Sequence, residues 1–275
     1  MSPGRGRGSR RPPALIITLA AVGALVFFVV PLAALVQRAP WHDALSDLND
    51  PSVRPALRLS LECSLAATAL SVVVGVPIAW VLARAEFYGR SFVRALALLP
   101  MVLPPVVGGV ALLVAFGRRG LVGQYLDRWF GITLPFTTAG VILAETFVAM
   151  PFLVITVEGA LRSLDTRYED AGATLGAGRF TVLRRVTLPA IAPSLAAGAA
   201  LAWARALGEF GATITFAGNF KGVTQTMPLA VYLALETDPG SAVVLSLVLL
   251  AVSITVLALV GRRVFGDRAA RLATP

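Results

Sequence analysis

Charged residues are scarce in this sequence: they occupy 14% of its 275 positions, whereas a soluble domain usually carries about 25%. Cysteine and histidine occur once each, at Cys63 and His42, which excludes an internal disulfide, a zinc site built on paired cysteines and catalysis by a set of histidines. There is no Gly-x-x-x-x-Gly-Lys-Ser/Thr loop, so this chain is not expected to bind ATP. The sequence therefore predicts a non-catalytic protein that holds no metal and no cofactor of its own.

Apolar residues, in contrast, make up 57% of the chain. A helix needs about 20 mostly apolar residues to cross a hydrocarbon core of about 30 Å. Six segments meet this requirement, at residues 14–36, 63–82, 95–116, 139–161, 188–207 and 242–260. They predict an all-α, polytopic membrane protein with a six-helix transmembrane domain over residues 14–263, flanked by a disordered basic tail at 1–13 and a second tail at 264–275.

Basic residues indicate how these spans are oriented. The net charge of +9, with arginine at 23 of the 24 basic positions, would suit a nucleic-acid-binding protein, but the arginines lie in short segments between the apolar runs. With the N-terminus inside, the cytoplasmic segments hold 16 Lys and Arg residues and the outer segments hold 7. Because cytoplasmic loops are enriched in these residues, we expect a multi-pass protein of the cytoplasmic membrane with both termini in the cytoplasm, a lipid bilayer around it and no nucleic-acid partner.

The longest cytoplasmic connection, residues 162–187, contains a predicted short helix. Thr166 and Glu169 have the spacing of a capping box, and the helix is expected from about Arg167 to Leu175. A left-handed glycine at Gly176 or Gly178 would end it. The small residues Ala171, Gly172 and Ala173 keep one side of this helix thin. Local physics leaves two interpretations open: insertion into a groove of a partner protein, or an amphipathic helix lying on lipid headgroups.

The motif Asp170-Ala171-Gly172-x3-Gly176-x9-Val186-x-Leu188-Pro189 resembles the EAA loop of ABC importer permeases, EAA-x3-G-x9-I-x-LP. The departures are Asp for Glu, Gly for the second Ala and Val for Ile. The resemblance implies a type I (MetI-like) permease fold and identifies this loop as the coupling helix that docks on an ABC ATPase subunit, which would bind the ATP and Mg. The coupling residues it implies are Glu169, Asp170, Ala171, Gly172, Ala173, Gly176, Leu188 and Pro189.

Two further stretches are similar to those of molybdate/tungstate permeases within the molybdate/sulfate permease family. One is Leu103-Pro104-Pro105-Val106-Val107-Gly108-Gly109, and the other runs from Leu207-Gly208-Glu209-Phe210-Gly211 through residue 232. Sulfate and thiosulfate permeases share Gly-Glu-Phe/Tyr-Gly but usually depart after the following alanine, so the resemblance favours molybdate, from which tungstate cannot be separated. The pathway candidates are Pro104, Pro105, Gly108, Arg205, Gly208, Glu209, Phe210, Gly211 and Thr213.

Several roles remain open at this point. Arg205 could pair with Glu209 four residues on, or face the pathway and attract the anion. The proline-rich third span could line the pore, or be only a bent, packed helix. Glu145 and Glu158 are expected to be structural, because a carboxylate lining an anion path would repel the cargo, and Glu158 is expected to reach water.

The resemblance implies alternating access through two copies of this chain, with an extracytoplasmic oxyanion-binding protein delivering the substrate. The competing class is a stand-alone transporter or channel driven by an ion gradient. Such transporters are expected to carry paired intramembrane acids or broken helices in two corresponding halves. Glu145 and the third span supply parts of this pattern, but the sequence has no visible internal repeat. A membrane enzyme is disfavoured, since no nucleophile and base pair is apparent.

Overall fold

The computed structural model describes residues 15–42 and 44–272, so the predicted tail at 1–13 lies outside the described residues. Within them the chain forms thirteen α-helices, a 3-10 turn at Leu99–Met101 and a π-helical turn at Leu183–Thr187. The α-helices are α1 Leu15–Gln37, α2 Ala44–Leu48, α3 Val53–Arg84, α4 Arg90–Leu98, α5 Pro105–Phe116, α6 Gly123–Phe130, α7 Thr138–Ser163, α8 Arg167–Thr174, α9 Arg179–Val182, α10 Leu188–Leu207, α11 Gly211–Ala217, α12 Met227–Thr237 and α13 Pro239–Leu272.

Five of the described helical segments are long and apolar enough to cross a membrane, and a sixth crossing results if one bent pair counts as a single span. The five are α1, α3, α7, the continuous segment Arg179–Leu207 and the first part of α13. Each overlaps one of the predicted spans, although α3 begins at Val53 rather than at residue 63. The helix α13 extends to Leu272, so most of the predicted tail at 264–275 is helical.

The predicted third span, 95–116, is not one continuous helix. The segments Arg90–Met101 and Pro105–Phe116 meet at an angle of 114°. Pro104 has an extended backbone, with φ −55° and ψ 131°, as expected for a residue that precedes another proline. Pro105 begins α5, where its missing N–H leaves no hydrogen bond unmade. The two prolines thus end one helix and start another, and the single span becomes a bent pair.

The helix α7 lies at the centre of the fold, between α3 and α10. Its residues Leu153, Val157 and Leu161 recur every four positions and pack with Leu82 of α3 and Ile191 of α10 in the main apolar cluster. In contrast, no residue of α1 is buried within the described part of the chain. The helix α1 therefore contributes little to the core of this chain.

A buried carboxylate stabilises the C-terminal end of α7. Glu158 is buried, and its Oε1 lies 3.0 Å from Nε of Arg94 on α4 and 3.0 Å from Nε of Arg162 one turn later. The expectation that Glu158 reaches water is therefore wrong, because two arginines replace the water. This cluster attaches α4, and with it the first half of the bent pair, to α7.

Candidate coupling loop and substrate pathway

The helix α8 ends in a Schellman motif centred on Gly176. Gly176 has φ +81°, its N–H donates to the Ala173 carbonyl (3.0 Å), and the Ala177 N–H donates to the Gly172 carbonyl (3.1 Å). This left-handed conformation strongly favours glycine. The prediction of a helix that ends at a left-handed Gly176 is confirmed, whereas Gly178 has an ordinary φ of −66°.

The predicted capping box at the start of α8 is wrong. Thr166 has a helical backbone, with φ −63°, and its hydroxyl caps no backbone N–H among the described residues. Asp165 does this instead, because its Oδ1 accepts a hydrogen bond from the Arg167 N–H (2.9 Å). The Glu169 side chain is not available for a capping box, since it has partners in other helices.

Those partners form what we call the Glu169 junction: Glu169, Arg84, Thr187 and the carbonyl of Leu164. Glu169 Oε1 accepts hydrogen bonds from Thr187 Oγ1 (2.9 Å) and from Arg84 Nη2 (3.3 Å), and its Oε2 lies 3.2 Å from Arg84 Nε. Arg84 Nη2 also donates to the Leu164 carbonyl (3.4 Å). One side chain of α8 is therefore bonded to the last turn of α3 and to the residue that precedes α10.

The helix α8 presents two different faces. On the inner face, a Cβ at Gly172 would lie 3.1 Å from Cγ2 of Val182, so glycine lets α8 pack closely on α9. On the outer face, Tyr168 and Leu175 are 63% and 88% exposed. Asp170, Ala171 and Ala173 are exposed as well. Of the three small residues predicted to keep one side of the helix thin, Gly172 alone is not exposed.

Leu188 and Pro189 lie where the chain passes from the coupling loop into α10. Pro189 has no N–H, so the carbonyl four residues earlier, on Arg185, has no helical donor. The Leu188 N–H bonds to the Leu183 carbonyl, five residues back, and the segment Leu183–Thr187 forms a π-helical turn. The Leu-Pro pair therefore marks a wider turn inside an otherwise continuous helical segment.

Two of the pathway candidates, Pro105 and Gly211, lie at a close contact between α5 and α11. A Cβ at Gly211 would lie 2.8 Å from Cβ of Pro105, and a Cβ at Gly109 would lie 2.9 Å from the Ala212 carbonyl oxygen and 2.7 Å from Cβ of Thr215. Glycine at these positions lets two membrane helices approach backbone to backbone. The structure therefore brings the proline-rich stretch and the Gly-Glu-Phe-Gly stretch into direct contact.

Arg205 and Glu209 form an ion pair beside this contact. Arg205 Nη1 lies 2.6 Å from Oε2 of Glu209, whose side chain is 1% exposed. Glu209 Oε1 accepts a hydrogen bond from the Ala212 N–H (2.8 Å), in the first turn of α11. Of the two alternatives for Arg205, the ion pair is the one present, so much of its charge is compensated. The pair also joins the end of α10 to the start of α11.

The other pathway candidates are dispersed around the break between α10 and α11. Gly208 ends α10 and is exposed, and the Phe210 ring lies 5.0 Å from the ring of Tyr232 on α12. Thr213 is fully buried, and its hydroxyl has no hydrogen-bond partner among the described residues. Gly108 faces Phe147 of α7, not α11, at 3.2 Å from its Cβ position.

Glu145 of α7 is a second buried carboxyl near this region. Its side chain is 1% exposed, it interacts electrostatically with Glu209, and its Oε2 has no hydrogen-bond partner among the described residues. The burial agrees with a structural rather than a catalytic residue.

The sequence did not single out Arg84, Thr187 or Gly109, although each makes a contact that defines the site. Arg84 was counted only as an orientation charge, and Thr187 only as the end of a loop. Their signal is weak, because the partners of Glu169 lie 85 and 18 residues away in the sequence. Gly109 could have been found as one of two adjacent glycines in a span, which often mark a close helix contact.

Comparison with known proteins agrees with this architecture. The profile of the family described as "Binding-protein-dependent transport system inner membrane component" matches residues 75–271. The chain is 50% identical over 247 residues to the molybdenum transport system permease protein ModB of Mycobacterium tuberculosis, which covers 90% of this chain and 93% of the relative. It is 36% identical over 252 residues to the sulfate transport system permease protein CysT of Salmonella typhimurium, with 88% and 91% covered.

The fold has solved counterparts as well. A chain of a bacterial alginate ABC transporter, crystallised with an alginate-bound periplasmic protein, matches with a TM-score of 0.71 at 18% identity, over 90% of this chain and 93% of that chain. At this identity the likeness concerns the fold alone, which is the ABC importer permease fold expected from the EAA-like loop. The profile match over residues 75–271 and the 50% identity to ModB show that the chain belongs to the family of inner membrane components of binding-protein-dependent transport systems.

Proposed function

We propose that this chain is the pore subunit of an ATP-driven importer that carries molybdate, or the similar anion tungstate, into the cell by alternating access. The relative of highest identity cited above is named a molybdenum transport permease, and the sulfate permease is more distant, at 50% against 36% identity. The two stretches that resemble molybdate permeases meet at the contact of α5 and α11. Sulfate or thiosulfate is the second candidate substrate.

The observation that carries the proposal is the outer face of α8. Tyr168 and Leu175 are large apolar side chains that stay exposed on a short helix outside the spans. Beside this helix lies a cavity of about 530 Å³, lined by Trp80, Arg179 and Asp170 among others. Large exposed apolar side chains next to a cavity lined by both charged and apolar residues suit a protein groove better than bulk water. The partner would be an ABC ATPase, which binds the ATP and Mg.

The helix α1 supports two copies of this chain. It is 23 residues long and strongly apolar, yet none of it is buried against the described remainder of the chain. In a symmetric pair α1 could pack against the second copy, and the two-fold axis would match two ATPase subunits. An extracytoplasmic binding protein would deliver the oxyanion, so the pore itself needs only weak sites.

The transport test uses purified chain in lipid vesicles, alone and together with its ATPase and its binding protein. We expect molybdate uptake only when both partners and ATP are present, with inhibition by tungstate and much weaker inhibition by sulfate. Uptake by the chain alone in an ion gradient would support the transporter or channel class and contradict the proposal. Equal or stronger inhibition by sulfate would shift the substrate to sulfate.

The orientation test uses two variants that each gain one exposed cysteine, Leu175→Cys at the end of α8 and Trp129→Cys on α6. The native Cys63 is buried, so it should not react with the label. Both positions are exposed, at 88% and 68%. In intact cells an impermeant maleimide should label position 129 and not position 175. In opened vesicles it should label position 175, and bound ATPase should block this reaction. Labelling of position 175 from outside would contradict both the orientation and the docking surface.

A further inference from the structure

We infer that Glu169 is a positioning residue inside this chain, which joins the coupling helix to α3 and α10 so that a movement of α8 reaches both helices together. This inference rests on the proposed function, since it needs an ATPase that moves α8. It differs from the role that the family resemblance implies for Glu169, which is contact with the ATPase.

The Glu169 carboxylate is largely enclosed by partners within this chain, and its remaining exposed part faces the cavity beside α8. Oε1 is held by Thr187 (2.9 Å) and by Arg84 (3.3 Å), and Oε2 faces Arg84 (3.2 Å). The Glu169 side chain is 19% exposed and the Arg84 side chain is 15% exposed. A carboxylate that faces a guanidinium and also accepts a hydroxyl hydrogen bond is fixed in direction as well as in distance.

Asp170 shows the contrast. Adjacent residues on a helix point about 100° apart, and Asp170 is exposed where Glu169 is turned inward. The two neighbouring acidic residues of α8 thus have different roles: Asp170 is available to a partner in the cytoplasm, whereas Glu169 connects α8 to the spans.

The connection continues to the pathway through α10. Thr187 precedes α10, whose 20 residues extend about 30 Å at about 1.5 Å per residue. At the far end, Arg205 and Glu209 join α10 to α11, which packs on α5. Arg84 meanwhile bonds to the Leu164 carbonyl at the end of α7. Three core helices therefore meet at the Glu169 junction, and α10 leads directly from it to the proposed pathway. Such a chain of bonded elements is a physical route for coupling.

The experiment measures molybdate transported per ATP hydrolysed in vesicles that contain the full complex. Glu169→Gln keeps the size of the side chain and removes its charge. We expect ATPase association and ATP hydrolysis to stay unchanged, while transport per ATP falls about tenfold, within the usual range of coupling between sites. Asp170→Asn should instead weaken ATPase association. Glu62→Gln is the matched control: it removes an exposed ion pair with Arg58, near the opposite end of α3, and should change neither quantity.

The double variant Arg84→Glu/Glu169→Arg tests whether the charge pair itself is responsible. It should recover most of the transport per ATP that each single variant loses. A Glu169→Gln complex with the wild-type ratio, a loss of ATPase association in that variant, or a double variant no better than the single ones would each overturn the inference. Failure of the proposed function looks different, because the wild-type complex would then show no ATP-dependent uptake at all.

Discussion

Adding one methyl group at Gly109 should force α5 and α11 apart. The new Cβ would lie 2.7 Å from Cβ of Thr215, 2.9 Å from the Ala212 carbonyl oxygen and 3.0 Å from the Ala212 Cα. Carbon atoms pack best at about 3.5–4.0 Å, so the helices must separate by roughly 0.5–1 Å. The Ala212 atoms belong to the backbone and cannot rotate away. Overpacking of this kind costs about 1–3 kcal/mol.

A loss of about 2 kcal/mol corresponds to a fall in Tm of about 4–8 °C for a chain of about this size. The measurement is thermal unfolding of Gly109→Ala in lipid nanodiscs, followed by tryptophan fluorescence. Gly23→Ala on α1 is the control, since no other described atom lies within 4 Å of that Cβ position beyond the helix's own backbone and chain neighbours. We expect its Tm to stay the same or rise slightly. A Gly109→Ala variant with the Tm of the control would refute the close contact.

Three further changes test the site. Arg205→Gln should lower the free energy of unfolding by about 3 kcal/mol because it leaves the buried Glu209 without its cation. The double variant Arg205→Gln/Glu209→Gln should recover much of that loss in the same unfolding assay. Normal uptake by a folded Arg205→Gln complex would exclude an anion-attracting role for Arg205. Gly176→Ala should lower the free energy of unfolding by about 1–2 kcal/mol and reduce ATPase association, because residue 176 has a positive φ. Gly178→Ala should leave both quantities unchanged. Equal effects of the two substitutions would contradict the Schellman geometry. Glu158→Gln should lower stability by about 2 kcal/mol, since it weakens the bonds to two arginines, and an unchanged Tm would show that this carboxylate is dispensable.

The features that depend on local sequence could be predicted. The bounds of the fifth predicted span, 188–207, coincide with α10, because a long apolar run and a Leu-Pro start are local signals. The left-handed Gly176 was predictable for the same reason: only the backbone of α8 and of the next three residues is involved.

The features that depend on distant partners could not be predicted. The Thr166 and Glu169 spacing indicated a capping box, but hydrogen bonds from Arg84 and Thr187 hold the carboxylate elsewhere. Two adjacent prolines predicted a bend in the third span, yet the 114° angle depends on how α4 and α5 each pack against other helices. The contact between Gly109 and Ala212 likewise needs the tertiary structure, since no local sequence feature near either residue indicates the other as its partner.

The π-helical turn at Leu183–Thr187 sets the rotation of the preceding helical segment relative to α10. A five-residue turn behaves like one inserted residue, and each residue of an α-helix advances the side-chain direction by about 100°. Deleting a single residue there would let the turn close as an ordinary α-helix, but everything upstream would rotate by about that angle relative to α10. Composition and hydropathy would hardly change, while Thr187 and Glu169 would no longer meet.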